Sequence, residues 1–205
     1  SGGLAVFVGF HVACAAIFLL PWIPFHGKLT FSWWIHYLLV STGIIVVGLV
    51  DDSVGIRPRW KLLLQIVAAL SMYQLDVRVG KVLGMELPAL VDMTMTVLWF
   101  VVITNAFNLI DGMDGLASGL AIIASLGIAG SFLVGYRPTD ALVLIGFAGA
   151  CAGFLRYNFH PASIFLGDTG SLFIGFTLAA VALITGAKGT VFASVGVPLL
   201  AVGIP

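Results

Sequence analysis

The sequence predicts an all-α protein, a polytopic bundle of transmembrane helices. Apolar residues make up 60% of the 205 residues and charged residues only 9%, whereas charged residues are about 25% of a typical soluble domain. Long apolar runs recur along the whole chain, and about 20 apolar residues are enough for a helix to cross a bilayer. The formal net charge is zero, so no basic surface indicates a nucleic-acid partner. The expected surroundings are therefore a lipid bilayer.

The apolar runs, taken in order, predict about eight membrane-spanning helices within one integral membrane domain, 1–205. These spans are expected near 4–25, 32–50, 60–75, 92–110, 116–135, 141–156, 171–187 and 191–205. The longest break between spans, 76–91, is expected to form a hairpin or to lie flat at the membrane interface. Because the chain begins without Met and stops inside an apolar run, we expect both of its ends to be incomplete.

Two cysteines and two histidines lie inside predicted spans. Cys14 and Cys151 have apolar neighbours in the sequence, which is typical of small buried side chains and not of a disulfide or a metal site. His11 and His36 fall in the half of the bundle opposite the acidic clusters described below. We expect structural roles for both.

Five of the nine acidic residues lie where a predicted span meets an even-numbered loop. Asp51 and Asp52 belong to loop two, Asp111 and Asp114 to loop four, and Asp168 to loop six. Even-numbered loops share one face of the membrane, so eight spans place all five carboxylates on the same side. The other acids are expected on the opposite side: Asp76, Glu86, Asp92 and Asp140.

Several carboxylates on one membrane face indicate a Mg²⁺ site that acts on phosphates, because Mg²⁺ takes oxygen ligands from one or two carboxylates and the substrate. Each Asp could instead simply cap a helix. That explanation does not suit Asp51 and Asp52, which follow an apolar run and therefore end a helix, where the dipole disfavours negative charge. A cation must offset this charge, and Arg57, Arg59, Lys61 or a divalent metal could supply it.

Known motifs of other enzyme classes are absent. The sequence contains no P-loop, no zinc-type cluster of His or Cys, and no Gly-x-Ser-x-Gly element.

A polar residue recurs at every third position from the end of the fourth predicted span into the loop that follows it. These residues are Asn105, Asn108, Asp111 and Asp114. On an α-helix, Asn108 and Asp111 can share a face, while Asn105 and Asp114 would lie about opposite each other. We expect Asn105 to bond a neighbouring helix and Asn108 to be functional.

The sixth loop ends in Gly-Asp-Thr-Gly-Ser, 167–171, just before an apolar run. Backbone N–H groups at such a helix start can cradle an anion. The same residues could also form a plain N-cap. The sequence leaves both interpretations open.

Four ordered stretches resemble the polyprenyl-phosphate N-acetylhexosamine-1-phosphate transferases of glycosyl transferase family 4. They are Gly48–Asp52 with Lys61–Gln65, Asn105–Gly115, Tyr157–Pro161 and Phe165–Ser171. The sequence looks most similar to the bacterial branch that loads N-acetylglucosamine-1-phosphate onto undecaprenyl phosphate. The sister branch, the phospho-N-acetylmuramoyl-pentapeptide transferases, is less similar around Asn105–Gly119 and remains the alternative.

The resemblance implies a Mg²⁺-dependent enzyme, with Mn²⁺ as a second candidate ion. It would transfer a sugar-1-phosphate from a UDP-sugar to a polyprenyl phosphate and release UMP. It would do so at the cytoplasmic face of the plasma membrane, and the protein could be a homodimer. The loops with the motifs contain four of the nine basic residues and the other loops five, so the positive-inside rule does not settle the orientation.

The resemblance also implies roles for individual residues. The catalytic residues would be Asp51, Asp52 and Asp168, with Asp51 acting on the lipid phosphate as a base or by orienting it. The metal ligands would be Asp168, Asp52 and Asp111. The substrate-binding residues would be Asn108, Asp111, Asp114, Asn158 and either Lys61 or Arg59.

Two features of the resembling family, a further Asp and a His-rich cytoplasmic loop, are expected beyond the point where this chain stops. A rival interpretation from another class is a cation-coupled transporter, since acids within membranes also serve such proteins.

Overall fold

The computed structural model describes residues 1–19, 27–82 and 85–185. Within these residues the chain forms seven α-helices and one short antiparallel hairpin, which confirms the all-α class. The helices are α1 (Gly2–Leu19), α2 (Phe31–Val54), α3 (Pro58–Gln74), α4 (Ala89–Ile110), α5 (Leu116–Val134), α6 (Pro138–Asn158) and α7 (Gly167–Thr185). The strands of the hairpin, which falls in the break predicted at 76–91, are β1 (Lys81–Val82) and β2 (Met85–Glu86).

Six of the described helices are long and apolar enough to cross a membrane. The exception is α3, which has 17 residues and rises about 25 Å along its axis. It runs antiparallel to α4, because Gln65 in the middle of α3 bonds Asn105 near the end of α4, whereas Tyr73 at the end of α3 bonds Ala89 at the start of α4. The predicted count of about eight spans is therefore slightly too high for the described residues. The last predicted span, 191–205, lies outside them.

A tight turn at 55–57 joins α2 to α3. Helix α2 begins after Thr30, whose hydroxyl accepts a hydrogen bond from the Trp33 N–H at 3.2 Å. It ends at Gly55, which has a φ of 72° that favours glycine. The next helix starts at Pro58, whose fixed φ suits a first turn. Because the turn is short, the end of α2 and the start of α3 stay side by side.

The central helix of the described bundle is α7. Every residue from Thr169 to Leu183 is buried, as expected for a helix that is apolar on all sides, and it packs against α1, α2, α4 and α5. Glycines permit the closest approaches. A Cβ on Gly48 of α2 would lie 2.6 Å from the Thr169 nitrogen, and a Cβ on Gly3 of α1 would collide with the backbone of Gly170. The first turn of α7 is therefore held between α1 and α2.

The acidic residues lie at opposite ends of the bundle in the two sets that the loop numbering predicted. At one end, Asp92 accepts a hydrogen bond from the Gly80 N–H and Asp140 accepts one from the Leu29 N–H, both at 2.8 Å. These two bonds fix the connections to the helices at that end. The other end contains the remaining set: Asp51, Asp52, Asp111, Asp114 and Asp168.

The histidines and cysteines of the predicted spans have structural surroundings. His11 is buried and accepts a hydrogen bond from the indole N–H of Trp34 at 3.0 Å. His36 is exposed, with its Nδ1 2.7 Å from a carbonyl one turn earlier in its own helix. Cys14 and Cys151 are both free thiols and both buried.

Candidate active site

Four elements bring charged side chains together at one end of the bundle. The last turn of α2 carries Asp51 and Asp52, and the start of α3 carries Lys61. Asp111 directly follows α4, and Asp168 lies in the first turn of α7. These five residues are called the carboxylate cluster below. Helix packing assembles the cluster from residues that are far apart in the chain.

Lys61 is the cation within the carboxylate cluster. Its Nζ donates to Asp51 Oδ2 at 2.7 Å and to Asp168 Oδ2 at 2.8 Å. The two carboxylates are only 13% and 27% exposed, so water screens the attraction incompletely. The sequence left open whether Lys61 or Arg59 serves the site. Arg59 is exposed, with its guanidinium 5.9 Å from the ring centroid of Trp60, so the residue that the structure brings into the cluster is Lys61.

Asp52 caps the N-terminus of α7 from the neighbouring helix. Its carboxylate accepts hydrogen bonds from the Asp168 N–H at 2.8 Å and the Thr169 N–H at 3.3 Å, and from the Thr169 hydroxyl at 2.6 Å. Gly167 has a φ of 72°, and a Cβ there would lie 2.6 Å from Asp52 Oδ2. The N–H groups at this helix start are therefore capped by the carboxylate of Asp52, which is a role that the sequence did not favour for this residue, because its position along the chain indicates only the end of α2. Binding of a substrate anion at this helix start stays a prediction.

The negatively charged form of Asp111 is destabilised by its surroundings. Burial, followed by the nearby charges of Asp168 and Asp52, raises the pKa of its carboxyl group to about 7, although the Gly167 N–H donates a hydrogen bond that acts in the opposite direction. Like charges and burial both disfavour the ionised form. A cation at this position would relieve the repulsion and stabilise the carboxylate.

The cluster fits the Mg²⁺ that the sequence resemblance implies. Within the described ranges, no three His, Cys, Asp or Glu side chains converge to hold a metal by themselves. Mg²⁺ is usually bound by one or two carboxylates together with substrate phosphates, so such a closed set is not required. Asp111 and Asp168 suit this arrangement, since their charges repel each other. Asp52, also predicted as a ligand, uses both of its oxygens on the start of α7.

The two asparagines of α4 have different partners. The Nδ2 of Asn108 donates to the Ser171 hydroxyl of α7 at 2.9 Å, one turn behind the cluster. The Nδ2 of Asn105 donates to Gln65 Oε1 of α3 at 2.6 Å. The expected helix–helix bond of Asn105 is therefore confirmed. A substrate contact by Asn108 stays a prediction.

Asp114 and Asn158 join two loops next to the cluster. Asp114 Oδ2 accepts hydrogen bonds from the Ala162 N–H at 3.1 Å and from His160 Nδ1 at 3.0 Å. The hydrogen bond from the Ala162 N–H has the larger effect and that from His160 the smaller one, and together they hold the pKa of Asp114 below its usual range. Asn158 is 3% exposed, and its Oδ1 accepts from the Gly115 N–H at 3.1 Å. The predicted donor contacts of Asp114 and Asn158 stay predictions, and the structure adds that both brace loops.

Three polar side chains of this region were not singled out from the sequence. They are Thr169, Ser171 and His160, which bond Asp52, Asn108 and Asp114 respectively. All three belong to the motifs quoted above, so their motif membership was the available signal. What the sequence lacked was any indication of which acidic or amide side chain each of them meets.

The family model for glycosyl transferase family 4 matches residues 34–186. The chain is 34% identical, over 100% of its length and 56% of the relative's, to a probable undecaprenyl-phosphate N-acetylglucosaminyl 1-phosphate transferase of Bacillus subtilis. It is 37% identical, over 87% of its length and 48% of the relative's, to a decaprenyl-phosphate N-acetylglucosaminephosphotransferase of Mycobacterium tuberculosis.

The sister branch is also represented. The chain is 36% identical, over 90% of its length, to a phospho-N-acetylmuramoyl-pentapeptide-transferase of Desulforudis audaxviator, of which it covers 61%. The chain thus spans about half the length of these relatives, with shares of 56%, 48% and 61%. The matched region includes α3 to α7 entirely and every residue of the carboxylate cluster. The chain belongs to glycosyl transferase family 4.

Proposed function

We propose that this protein transfers N-acetylglucosamine-1-phosphate from UDP-N-acetylglucosamine to a polyprenyl phosphate such as undecaprenyl phosphate, releasing UMP. The observation that carries the proposal is the carboxylate cluster with its lysine at one end of a bundle of membrane helices. At such an end, a water-soluble sugar nucleotide can meet a phosphate that is anchored in the bilayer. The names of the Bacillus and Mycobacterium relatives support the choice of sugar and lipid.

The reaction would be a direct phosphoryl-type transfer. An oxygen of the lipid phosphate attacks the β-phosphorus of the UDP-sugar, and the bond from that phosphorus to the bridging oxygen breaks, so UMP leaves with the electron pair. Both reactants are anions, and catalysis of such a step consists mostly of positioning and charge neutralisation. Mg²⁺, when bound by Asp168 and Asp111, would supply part of that positive charge.

Three residues of the cluster would have separate roles in this reaction. Lys61, already between two carboxylates, would offer its ammonium group to a phosphate. Asp52 would hold Asp168 in place through its bonds to the first turn of α7. Asp51 need not act as a base, because a phosphate monoester has a second pKa of about 6 and is mostly dianionic near neutral pH. We propose that Asp51 orients Lys61 and the lipid phosphate.

Two other functions remain as competitors. The pentapeptide-transferase relative makes a UDP-muramoyl-pentapeptide donor the second candidate for the same chemistry. A cation-coupled transporter is disfavoured, because the carboxylates lie at one end of the bundle and transporter sites lie near the bilayer midplane. The cytoplasmic face is proposed because UDP-sugars are cytoplasmic, and the homodimer stays a prediction.

A donor screen tests the proposal. Membranes containing the full-length protein are supplied with a polyprenyl phosphate, Mg²⁺ and one radiolabelled donor at a time, either a UDP-hexosamine or UDP-muramoyl-pentapeptide. We expect label in the lipid fraction and release of UMP with UDP-N-acetylglucosamine, and loss of both with EDTA or with Asp168→Asn. Transfer from the pentapeptide donor alone would move the protein to the sister reaction. No transfer from any donor would refute the transferase function.

A further inference from the structure

The loops at 111–115 and 159–166 are joined from both sides. From the first loop, the Asp114 carboxylate reaches the Ala162 N–H and the His160 ring. From the end of α6, the Asn158 side chain accepts a hydrogen bond from the Gly115 N–H and donates one to the Ile164 carbonyl at 3.1 Å. A side chain attached to each loop therefore binds a backbone N–H group of the other loop. The brace leaves little freedom for either loop to shift alone.

The two oxygens of Asp114 have different surroundings. Oδ2 accepts both of the bonds from the second loop, 3.1 Å from Ala162 N and 3.0 Å from His160 Nδ1. Oδ1 accepts no hydrogen bond from any other residue that the structure describes. The Asp114 side chain is 26% exposed and His160 is 82% exposed, so both lie where a ligand can reach them. The unused Oδ1 is thus a fixed and accessible acceptor beside the cluster.

We propose that His160 is a positioning residue, which holds Oδ2 of Asp114 so that Oδ1 faces the nucleotide donor. The inference rests on the proposed function, because it takes the donor to bind on this side of the cluster. A carboxylate held by one hydrogen bond can still turn about its bond to Cβ. A second donor on the same oxygen restricts that rotation, and among the described residues His160 is the only side chain that supplies one. His160 acts through Asp114 and does not itself need to touch the donor.

Two alternatives make different predictions. If His160 contacts the donor directly, its effect should be independent of Asp114. If His160 only ties the loops together, its loss should lower thermal stability and turnover without a selective effect on the donor. A double-mutant cycle with separate Michaelis constants for the two substrates distinguishes these cases.

The experiment compares His160→Ala, His160→Asn, Asp114→Ala and the double alanine variant in the full-length protein. His160→Ala should raise the KM for the UDP-sugar about tenfold, as the loss of one charge-assisted hydrogen bond implies, and leave the KM for the lipid phosphate unchanged. His160→Asn keeps an N–H close to the position of Nδ1 and should return the donor KM to within about threefold of wild type. With Asp114 already changed to Ala, removing His160 should alter the donor KM by less than about twofold.

His36→Ala serves as the matched control, because this exposed histidine lies in α2 and, among the described residues, bonds a carbonyl of its own helix and no other group. An unchanged donor KM in His160→Ala, or full additivity in the double variant, would overturn the inference. A loss of thermal stability with equal changes in both KM values would show a loop tie only, and would also overturn it.

If wild type transfers nothing, the proposed function fails, and UDP binding by calorimetry then decides the inference by itself. Weaker UDP binding by about tenfold in His160→Ala would support it. Equal binding, or no binding by wild type, would refute it.

Discussion

Gly48 tests whether the contact between α2 and α7 positions the carboxylate cluster. A Cβ at this glycine would lie 2.6 Å from the nitrogen of Thr169 and 3.0 Å from the carbonyl carbon of Asp168. Both are backbone atoms, so no side-chain rotation can relieve the clash. Carbon atoms prefer separations of about 3.5–4.0 Å, so Gly48→Ala must move the first turn of α7 away from α2 by about 1 Å.

The size of the effect follows from this displacement. Inserting one methyl group into a packed interior lowers the free energy of unfolding by about 1–3 kcal/mol. Replacing glycine by alanine inside a helix raises it by about 1 kcal/mol. Gly43→Ala isolates the second effect, because a Cβ on Gly43 in the same helix meets nothing within 4 Å. The difference between the two variants is therefore the cost of the clash. At about 3 °C per kcal/mol for a chain of this size, Gly48→Ala should melt roughly 3–9 °C below Gly43→Ala.

Turnover should respond more strongly than stability. The displaced turn contains Asp168 and the N–H groups that Asp52 binds, and a shift of about 1 Å at a catalytic group can reduce the rate about 100-fold. The assay is UMP release by both variants in detergent or membranes, together with thermal unfolding. Gly43→Ala should keep wild-type turnover and melt about 3 °C above wild type. Equal melting temperatures of Gly48→Ala and Gly43→Ala, with wild-type turnover in both, would refute the idea that this contact positions the site.

Three further predictions concern the cluster and its membrane face. Lys61→Met should reduce turnover about 100-fold or more in the UMP-release assay, whereas the neighbouring change Arg59→Met should have little effect; equal losses would contradict the assignment of Lys61. Because the Asp111 pKa is raised to about 7, its charged form opposes folding, so stability should fall between about pH 4 and 7. Asp111→Asn should therefore raise the melting temperature at pH 8 in EDTA but not at pH 4.5, and no gain at pH 8 would refute the repulsion. Cysteines placed at Ser53 and Ser163 should react with a membrane-impermeant thiol reagent from the cytoplasmic side, and one at Tyr136 only from outside; labelling of the first two from opposite sides would contradict a single site.

Much of the fold, and the grouping of the carboxylates at one end of the bundle, follow from the sequence alone. Apolar runs predicted the all-α membrane bundle, because a membrane-crossing backbone must satisfy its hydrogen bonds within the helix. Counting loops placed Asp51, Asp111 and Asp168 on one face, since each crossing of the membrane reverses the side. The polar spacing in α4 also predicted the bond of Asn105 to another helix. These results depend on order along the chain, not on distances.

The tertiary structure decided which side chains meet. Lys61 and Asp168 are 107 positions apart, and Asp52 and Thr169 are 117 positions apart, so their pairing depends on how far each helix is rotated and how closely the helices approach. The close approach at Gly48 brings the start of α7 against Asp52 and makes Asp52 a cap for that helix. Loop numbering could not distinguish Lys61 from Arg59, since both lie on the same face. The sequence therefore determined that these carboxylates share one end of the helix bundle, while helix rotation and packing determined the partner of each charge.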